Sequence, residues 1–410
     1  MTTEHILHHT DVEAASVEVP SIAIIGGGLT GLFTATLLER AFSQASDNTL
    51  IPQMTVPQIT IFEKSRSVGR LATRYRTDDH TGKNWQWAFG AQFFTAKTAN
   101  FQQFIAPYLG SGLIQPWCAK VVDLHSASVS GQSPDIQQKE QWSSTQARYI
   151  STPKMTSWGR VLADELKHTT INFKTRVAPL AHYTQQSMSE ESQKTELFDD
   201  TGRSLGLFDW VICTVPNAQA IALLANSKFP EPARFTEPKM LACYTLMLGW
   251  DSVAQLPDIL SHEVQPVWDV AYVNGSIIDR IFIEHQKPKH DNLLPSVTIH
   301  ARNDWSEQHV DDDIEAVKSQ LLTAAQQALN WNEGSRPSQI DCHRWRYAAT
   351  DKVSNTYSNH DASEGSNKET GILVDNQQQW IVSGDWCAQG NIESCYQMAQ
   401  QTVAVICQAT

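Results

Sequence analysis

Nothing in this chain of 410 residues is built to cross a bilayer as a helix: no apolar run approaches the roughly twenty residues a span needs. Residues 1–19 lack the basic segment and apolar stretch of a secretory leader, so they are expected to form a flexible tail and the location to be cytoplasmic. Positive charge is short. The 31 Lys and Arg against 44 Asp and Glu leave a formal net charge of −13, which argues against a general affinity for nucleic acid or anionic membrane but leaves room for a local basic pocket. The seven cysteines include no CxxC pair, which suits a reduced compartment and structural thiols. Repeats, low-complexity runs and sustained heptads are missing. No Ser-His-Asp constellation or metal-binding cluster has suitable spacing, and His5, His8 and His9 belong to the tail.

What is present begins at Ser21-Ile-Ala-Ile-Ile-Gly-Gly-Gly-Leu-Thr-Gly31. Ile22, Ile24 and Ile25 suit a buried strand, and Leu29, Leu32, Phe33 and Leu38 give the apolar face of a following helix. Gly26, Gly28 and Gly31 fit G-x-G-x-x-G. The first permits a tight turn, the second lets the backbone approach a pyrophosphate, and the third lets helix and strand pack closely. The helix N-terminus offers unpaired N–H groups and a positive dipole end to phosphates. The glycines gain force from a second apolar run, Gln58 to Phe62, closed by Glu63, whose carboxylate can accept hydrogen bonds from a ribose hydroxyl. Glu63 lies 32 residues beyond Gly31, and the polar segment from Ser43 to Pro57 accounts for the excess as an insertion.

Further along, Gly69 beside Arg70 suits a phosphate-contacting loop, since a guanidinium can clamp phosphate oxygens bidentately. Trp87 to Thr95 is small, aromatic and nearly uncharged, either a flat surface for a ring or a buried strand bulged at Gly90. Residues 120–147 are expected to be a surface excursion, and 156–166 a helix capped by Thr156 or Ser157. Ile171 to Val177 alternates as a strand does. Phe208 to Pro216 has the continuous apolar character of a buried parallel strand, with a helix from Ala218 to Leu224. Tyr244 to Trp250, Ile277 to Ile283 and Ser296 to Ala301 are β-rich, and Asp312 to Leu329 is amphipathic. The segments 185–194 and 354–370 are expected to be polar loops. Trp380 to Asp385 is a final strand before the helix Ile392 to Cys407.

A dinucleotide unit at the N-terminus and a Gly-Asp strand end before the last helix is an arrangement similar to that of two-domain flavoproteins of the glutathione reductase and amine oxidase type. Gly69-Arg-Leu-Ala-Thr-Arg74, Gly90-Ala-Gln-Phe-Phe-Thr95, Phe208 to Pro216, Arg302-Asn-Asp-Trp-Ser306, His343-Arg-Trp-Arg-Tyr-Ala348 and Ser383-Gly-Asp-Trp386 together resemble the renalase family in its bacterial branch. Three departures stand out. Val68 replaces a family glycine, Trp87-Ala-Phe replaces an acid before Gly90, and residues 387–395 are poorer in glycine than the family pattern.

The resemblance implies an α/β fold: a Rossmann-like FAD-binding domain of the glutathione reductase type (20–95, 150–232 and 370–410) with a second α+β substrate domain on a mostly antiparallel sheet (96–149 and 233–369). It implies non-covalent FAD held by Gly26, Gly28, Leu29, Thr30, Gly31, Glu63, Lys64, Gly69, Arg70, Gly90, Ala91 and Val177. At the C-terminal end Gly384, Asp385, Asn391, Ile392 and Glu393 join them. A flavin bonded covalently to Cys387 or Cys395 is the alternative. The implied reaction takes a hydride from isomeric dihydronicotinamide dinucleotides and passes electrons to dioxygen, giving hydrogen peroxide. Orientation against the flavin supplies most of the rate in such a transfer. Gln92, Phe93, Trp345, Arg346 and Tyr347 are the substrate-side candidates, although Arg344 or Arg346 fits a structural ion pair equally well. An amine oxidase or desaturase, and a flavin-binding redox sensor without turnover, are the competing expectations.

Overall fold

In the computed structural model, which describes residues 19–46, 56–66, 69–125, 134–181, 194–227, 229–230, 239–261, 266–290, 292–351 and 371–409, the strand Ser21–Ile25 lies inside a six-stranded sheet. Its neighbours are Gln58–Glu63 and Trp210–Cys213, both parallel to it. Thr169–Phe173 extends the sheet on one side and Trp380–Val382 on the other, with Leu373–Asp375 as an antiparallel edge. Burial on both faces explains the continuous apolar runs: Ile22, Ala23, Ile24, Ile59, Ile61, Ile212 and Ile381 are fully buried. From Ser21–Ile25 the chain builds outward on one side, then returns to the other through Trp210–Cys213. The crevice at that reversal, beyond the carboxyl ends of the strands, is where ligands bind in such sheets.

The helix Leu29–Ser46 packs on the last helix, Ile392–Ala409. Phe33 sits at the junction, with Phe104 5.2 Å, Trp158 5.5 Å and Tyr396 6.0 Å from its ring centroid.

The second sheet has seven strands in the order Gln339–Thr350, Met240–Gly249, Ser296–Ala301, Ile278–Ile283, Val270–Asn274, Lys120–His125, Asp135–Gln141. It is antiparallel except where Val270–Asn274 runs parallel to Lys120–His125. The helix Ile314–Leu329 covers one face with Val317, Leu321 and Ala325. Asp313 caps it, accepting from the backbone N–H groups of Glu315 and Ala316 at 3.0 Å, and it ends at Asn330 in the left-handed region.

Several expectations need correction. Residues 120–147 do not form a mere excursion: Val121, Val122 and Leu124 are buried, and two strands of the second sheet come from this segment. The helix Met155–Glu165 is capped by Lys154, whose N–H donates to the Ser157 hydroxyl. The strand expected to reach Val177 stops at Phe173, because Lys174 has φ of 56°. The expected tail, much of the Ser43 to Pro57 insertion, Ser67 and Val68, and the loops near 185–194 and 354–370 lie largely outside the described residues.

Candidate active site

A cavity of about 1530 Å³ opens at the crevice, lined by the ends of the parallel strands on one side and by the antiparallel sheet on the other. A typical single-ligand pocket holds about 300–1,000 Å³, so this space has room for a dinucleotide and a second molecule. Gly26, Gly28, Leu29, Thr30, Glu63, Lys64, Gly69, Arg70, Gly90, Ala91 and Val177 line it, as do Asp385, Asn391 and Ile392. Gln92, Phe93, Trp345, Arg346 and Tyr347 line its far side. Gly31, Gly384 and Glu393 do not.

The glycines divide by what surrounds them. A methyl group on Gly28 would meet nothing within 4 Å, so the backbone there is bare toward the cavity. A methyl group on Gly31 would overlap the Gly26 carbonyl oxygen, and Gly26 itself has φ of +115°. Gly31 therefore serves packing, and Gly28 leaves open the approach that a pyrophosphate requires. Nearby, Glu63 accepts from Gly27 N at 2.8 Å and from Ser65 N at 2.7 Å. Each of its oxygens keeps a free lone pair for a hydroxyl. Lys64, whose Nζ donates to Gln219 at 2.9 Å, has its pKa lowered by burial, with Arg176 adding to the effect against Glu63.

Across the cavity Arg70 reaches Asp385 at 2.5 Å and donates to the Ala348 carbonyl oxygen at 3.3 Å. Burial acts to lower the pKa of this guanidinium, but the Asp385 carboxylate outweighs it and raises it. Arg70 is thus a fixed cation shared with the final strand end, and no longer a free clamp. Gly90 is tight because a side chain there would run into the Arg70 carbonyl. Glu393 lies outside the lining, and its carboxylate is engaged elsewhere: it accepts from Lys97 N at 2.9 Å and Thr98 N at 2.7 Å, tying down the entrance to the helix Ala99–Gly110. Gly384 likewise stands against the Trp386 indole. Cys395 lines the cavity, yet burial pushes its thiol up to about 12, and a thiol that keeps its proton is a poor nucleophile. Cys387 is outside the lining.

The substrate-side candidates cluster on Gln339–Thr350. Its pairing with Met240–Gly249 slips between Leu241 and Cys243, so that Arg346, Tyr347 and Ala348 bulge at the cavity, as bulges commonly re-aim side chains beside sites. Trp345 stacks on Phe89 with ring centroids 5.4 Å apart and donates to the Phe89 carbonyl at 2.8 Å. His343 packs edge-on at 4.6 Å, its pKa pushed down to about 4 by burial and then by Arg74. Both arginines are held: Arg344 donates to the Val310 carbonyl at 2.7 Å, and Arg346 pairs with Asp311 at 2.6 Å. Arg346 thus takes the ion-pair role, at the rim of the space.

Sequence reasoning missed Phe89, Arg280 and His300, which also line the cavity. Phe282 and His300 do carry a signal, the alternation of strands Ile278–Ile283 and Ser296–Ala301, which puts their rings 5.2 Å apart on one face. Burial, then the charges of Arg280 and Lys287, push His300 down to about 3. Among the described residues there is no His, Cys, Asp or Glu cluster able to hold a metal ion, and no helix long and apolar enough to cross a membrane.

A family model described as flavin containing amine oxidoreductase matches residues 40–407. Solved structures share the fold. A protein of Exiguobacterium sp. 255-15, provisionally named a protoporphyrinogen oxidase, superposes with a TM-score of 0.63 at 13% identity, covering 96% of this chain and 100% of its own. A putrescine oxidase bound to putrescine gives 0.60 at 11% identity over 95% of this chain and 99% of its own. Cyclohexylamine oxidase from Brevibacterium oxydans IH-35A gives 0.60 at 10% identity, covering 96% and 99%.

Proposed function

The chain belongs to the flavin-containing amine oxidoreductases, and from that premise we propose that this FAD-dependent oxidase is of the renalase type, acting on isomeric dihydronicotinamide dinucleotides. The observation that carries this reading is charge. In a chain with net charge −13 the cavity is lined by eight Lys and Arg side chains against four Asp and Glu. FAD answers part of this charge at the Lys64, Arg66, Arg70 and Arg176 end, and Arg280, Arg344 and Arg346 against Asp279 leave the remainder of the lining better suited to a dianionic dinucleotide than to a protonated amine.

In this reading the bare backbone at Gly28 and the first turn of Leu29–Ser46 hold the FAD pyrophosphate, Glu63 the ribose, and Arg70 with Asp385 the middle of the cofactor. Bound FAD would supply the hydride acceptor and the route by which two electrons reach dioxygen to give hydrogen peroxide. The protein's own part is orientation. Trp345, stacked on Phe89, gives a flat wall for a planar ring. Phe93 is braced 4.7 Å from Trp142, and Gln92 and Tyr347 border the same space. Arg280, against Asp279 at 2.7 Å, turns its guanidinium to the substrate's phosphates, while Arg346 stays paired with Asp311 at the rim. Holding the reacting carbon in place is worth several kcal/mol of barrier, about 7–11 at the upper end.

Amine oxidation is the second reading, favoured by the aromatic wall of Phe89, Trp345 and His343. The test is anaerobic mixing of the yellow holoprotein with a dihydronicotinamide isomer preparation beside a panel of amines. Rapid bleaching by the isomers alone is expected; bleaching by amines alone would replace the first reading with the second.

A further inference from the structure

Behind the cavity wall lies a chain of hydrogen bonds that begins with an ion pair. Glu284 and Lys287 have side chains only 0% and 2% exposed, and they meet at 2.9 Å. The carboxylate is further satisfied by the Thr298 hydroxyl at 2.6 Å and Ala88 N at 3.2 Å. The ammonium also donates to Gln92 Oε1 at 2.7 Å. An ammonium has only donors, so the Gln92 carbonyl oxygen must face it and the amide NH₂ must point the other way. There the NH₂ meets the Ala88 carbonyl and His300 Nε2, the latter at 3.5 Å. An NH₂ group can only donate, so Nε2 must accept and the imidazole proton must sit on Nδ1. The ring lies on the cavity wall, and Nδ1 has no hydrogen-bond partner among the described residues.

We propose that the Glu284–Lys287 pair acts through Gln92 as a positioning device, fixing His300 in the Nδ1–H tautomer and so presenting one neutral, oriented N–H donor to the substrate. Resting on the dinucleotide reading above, the acceptor is the carbonyl oxygen of the nicotinamide carboxamide. Neutrality is built in from every side. Arg280 faces His300 across one strand pair and Thr245 across the other, Phe282 covers the ring, and Lys287 adds a second positive field. A neutral donor anchors a carbonyl without adding to the repulsion of the oxidised nicotinamide cation that the reaction leaves behind.

The test is the nitrogen NMR spectrum of the ¹⁵N-histidine-labelled holoprotein, with His300 located by the signal lost in His300→Leu. Wild type should show Nδ1 protonated and no titration over roughly pH 5.5 to 8.5. Glu284→Gln/Lys287→Met removes both charges together and should convert His300 to a mixture of tautomers while flavin absorbance is retained. If that protein does not fold, Gln92→Leu removes the bridge and keeps the pair, with the same expectation. A wild-type ring protonated on Nε2, a ring titrating near its ordinary value, or an unchanged tautomer in the folded variant overturns the proposal. His300→Leu should also raise KM for the dihydronicotinamide isomers by up to about tenfold, the worth of one neutral hydrogen bond. An unchanged KM beside the expected tautomer refutes the donor role alone. Failure to oxidise any dinucleotide refutes the substrate reading and leaves the tautomer result standing.

Discussion

Gly28→Ala separates binding from folding at a single atom. The added methyl meets nothing within 4 Å and the backbone is not left-handed, so fold stability should stay within about 0.5 kcal/mol of wild type. The same methyl stands where the pyrophosphate must approach, and losing one hydrogen bond to a charged oxygen costs about 1.5–3 kcal/mol. The dissociation constant for FAD should therefore rise about 10- to 150-fold. Gly31→Ala should behave in the opposite sense. Its methyl overlaps the Gly26 carbonyl and lies 3.2 Å from the side chains of Ile24 and Thr214, an overpacking that costs about 1–3 kcal/mol of stability. Flavin fluorescence titration of the stripped proteins reads the first quantity and urea unfolding reads the second. Wild-type FAD affinity in Gly28→Ala, or equal loss of stability in the two variants, would refute the division of roles.

Phe33→Ala, which removes the shared partner of Phe104, Trp158 and Tyr396, should cost about 3–5 kcal/mol in urea unfolding; a loss below about 1 kcal/mol would contradict the packing. Glu393→Ala should lower stability by about 1.5–3 kcal/mol through its bonds to Lys97 and Thr98, with the flavin spectrum and FAD affinity unchanged. His300 and His343 are held below their ordinary value of 6.5, at about 3 and about 4. The unfolded chain takes up their protons first as pH falls. Stability is then fully present above pH 6.5 and is lost toward pH 4, at up to about 1.4 kcal/mol per pH unit for each ring. The double variant His300→Gln/His343→Gln should flatten that part of the stability curve, and an unaltered slope would show that these rings titrate normally.

The first sheet was legible because its strands are buried on both faces and so read as unbroken apolar runs: Ser21–Ile25 and Gln58–Glu63 lie within a residue of their expected bounds, and Trp210–Cys213 falls inside the expected Phe208 to Pro216. Lys120–His125 was not. Its companion Asp135–Gln141 is an exposed edge, whose Gln and Glu side chains carry no alternation to find. The phosphate end of the cavity announced itself through glycines, since only backbone lies there. The substrate end is made of side chains from distant strands, so its composition depends on register. Phe89, Arg280 and His300 meet only once three strands and a loop are aligned. The backbone bonds of Glu393 were not legible because an acid at a helix start looks the same whether its carboxylate faces a ligand or, as here, a neighbouring backbone. Lys287 was invisible for a related reason: Ile281-Phe-Ile-Glu-His-Gln-Lys287 reads as a strand running out into solvent, and only the fold turns its charged end inward.

The bridge from Arg70 to Asp385 spans 315 positions of the chain, and the strand Trp380–Val382 enters the first sheet beside Trp210–Cys213. During synthesis the glycine-rich turn is made early, but the wall opposite it follows only after those 315 positions. A growing polypeptide thus carries half of its cofactor cradle exposed, with Arg70 lacking its counter-charge, until residues 380–409 have emerged and docked. Flavin capture should therefore wait for residues 380–409. Truncated chains should stay colourless, so the yellow colour itself reports that the whole sheet has closed.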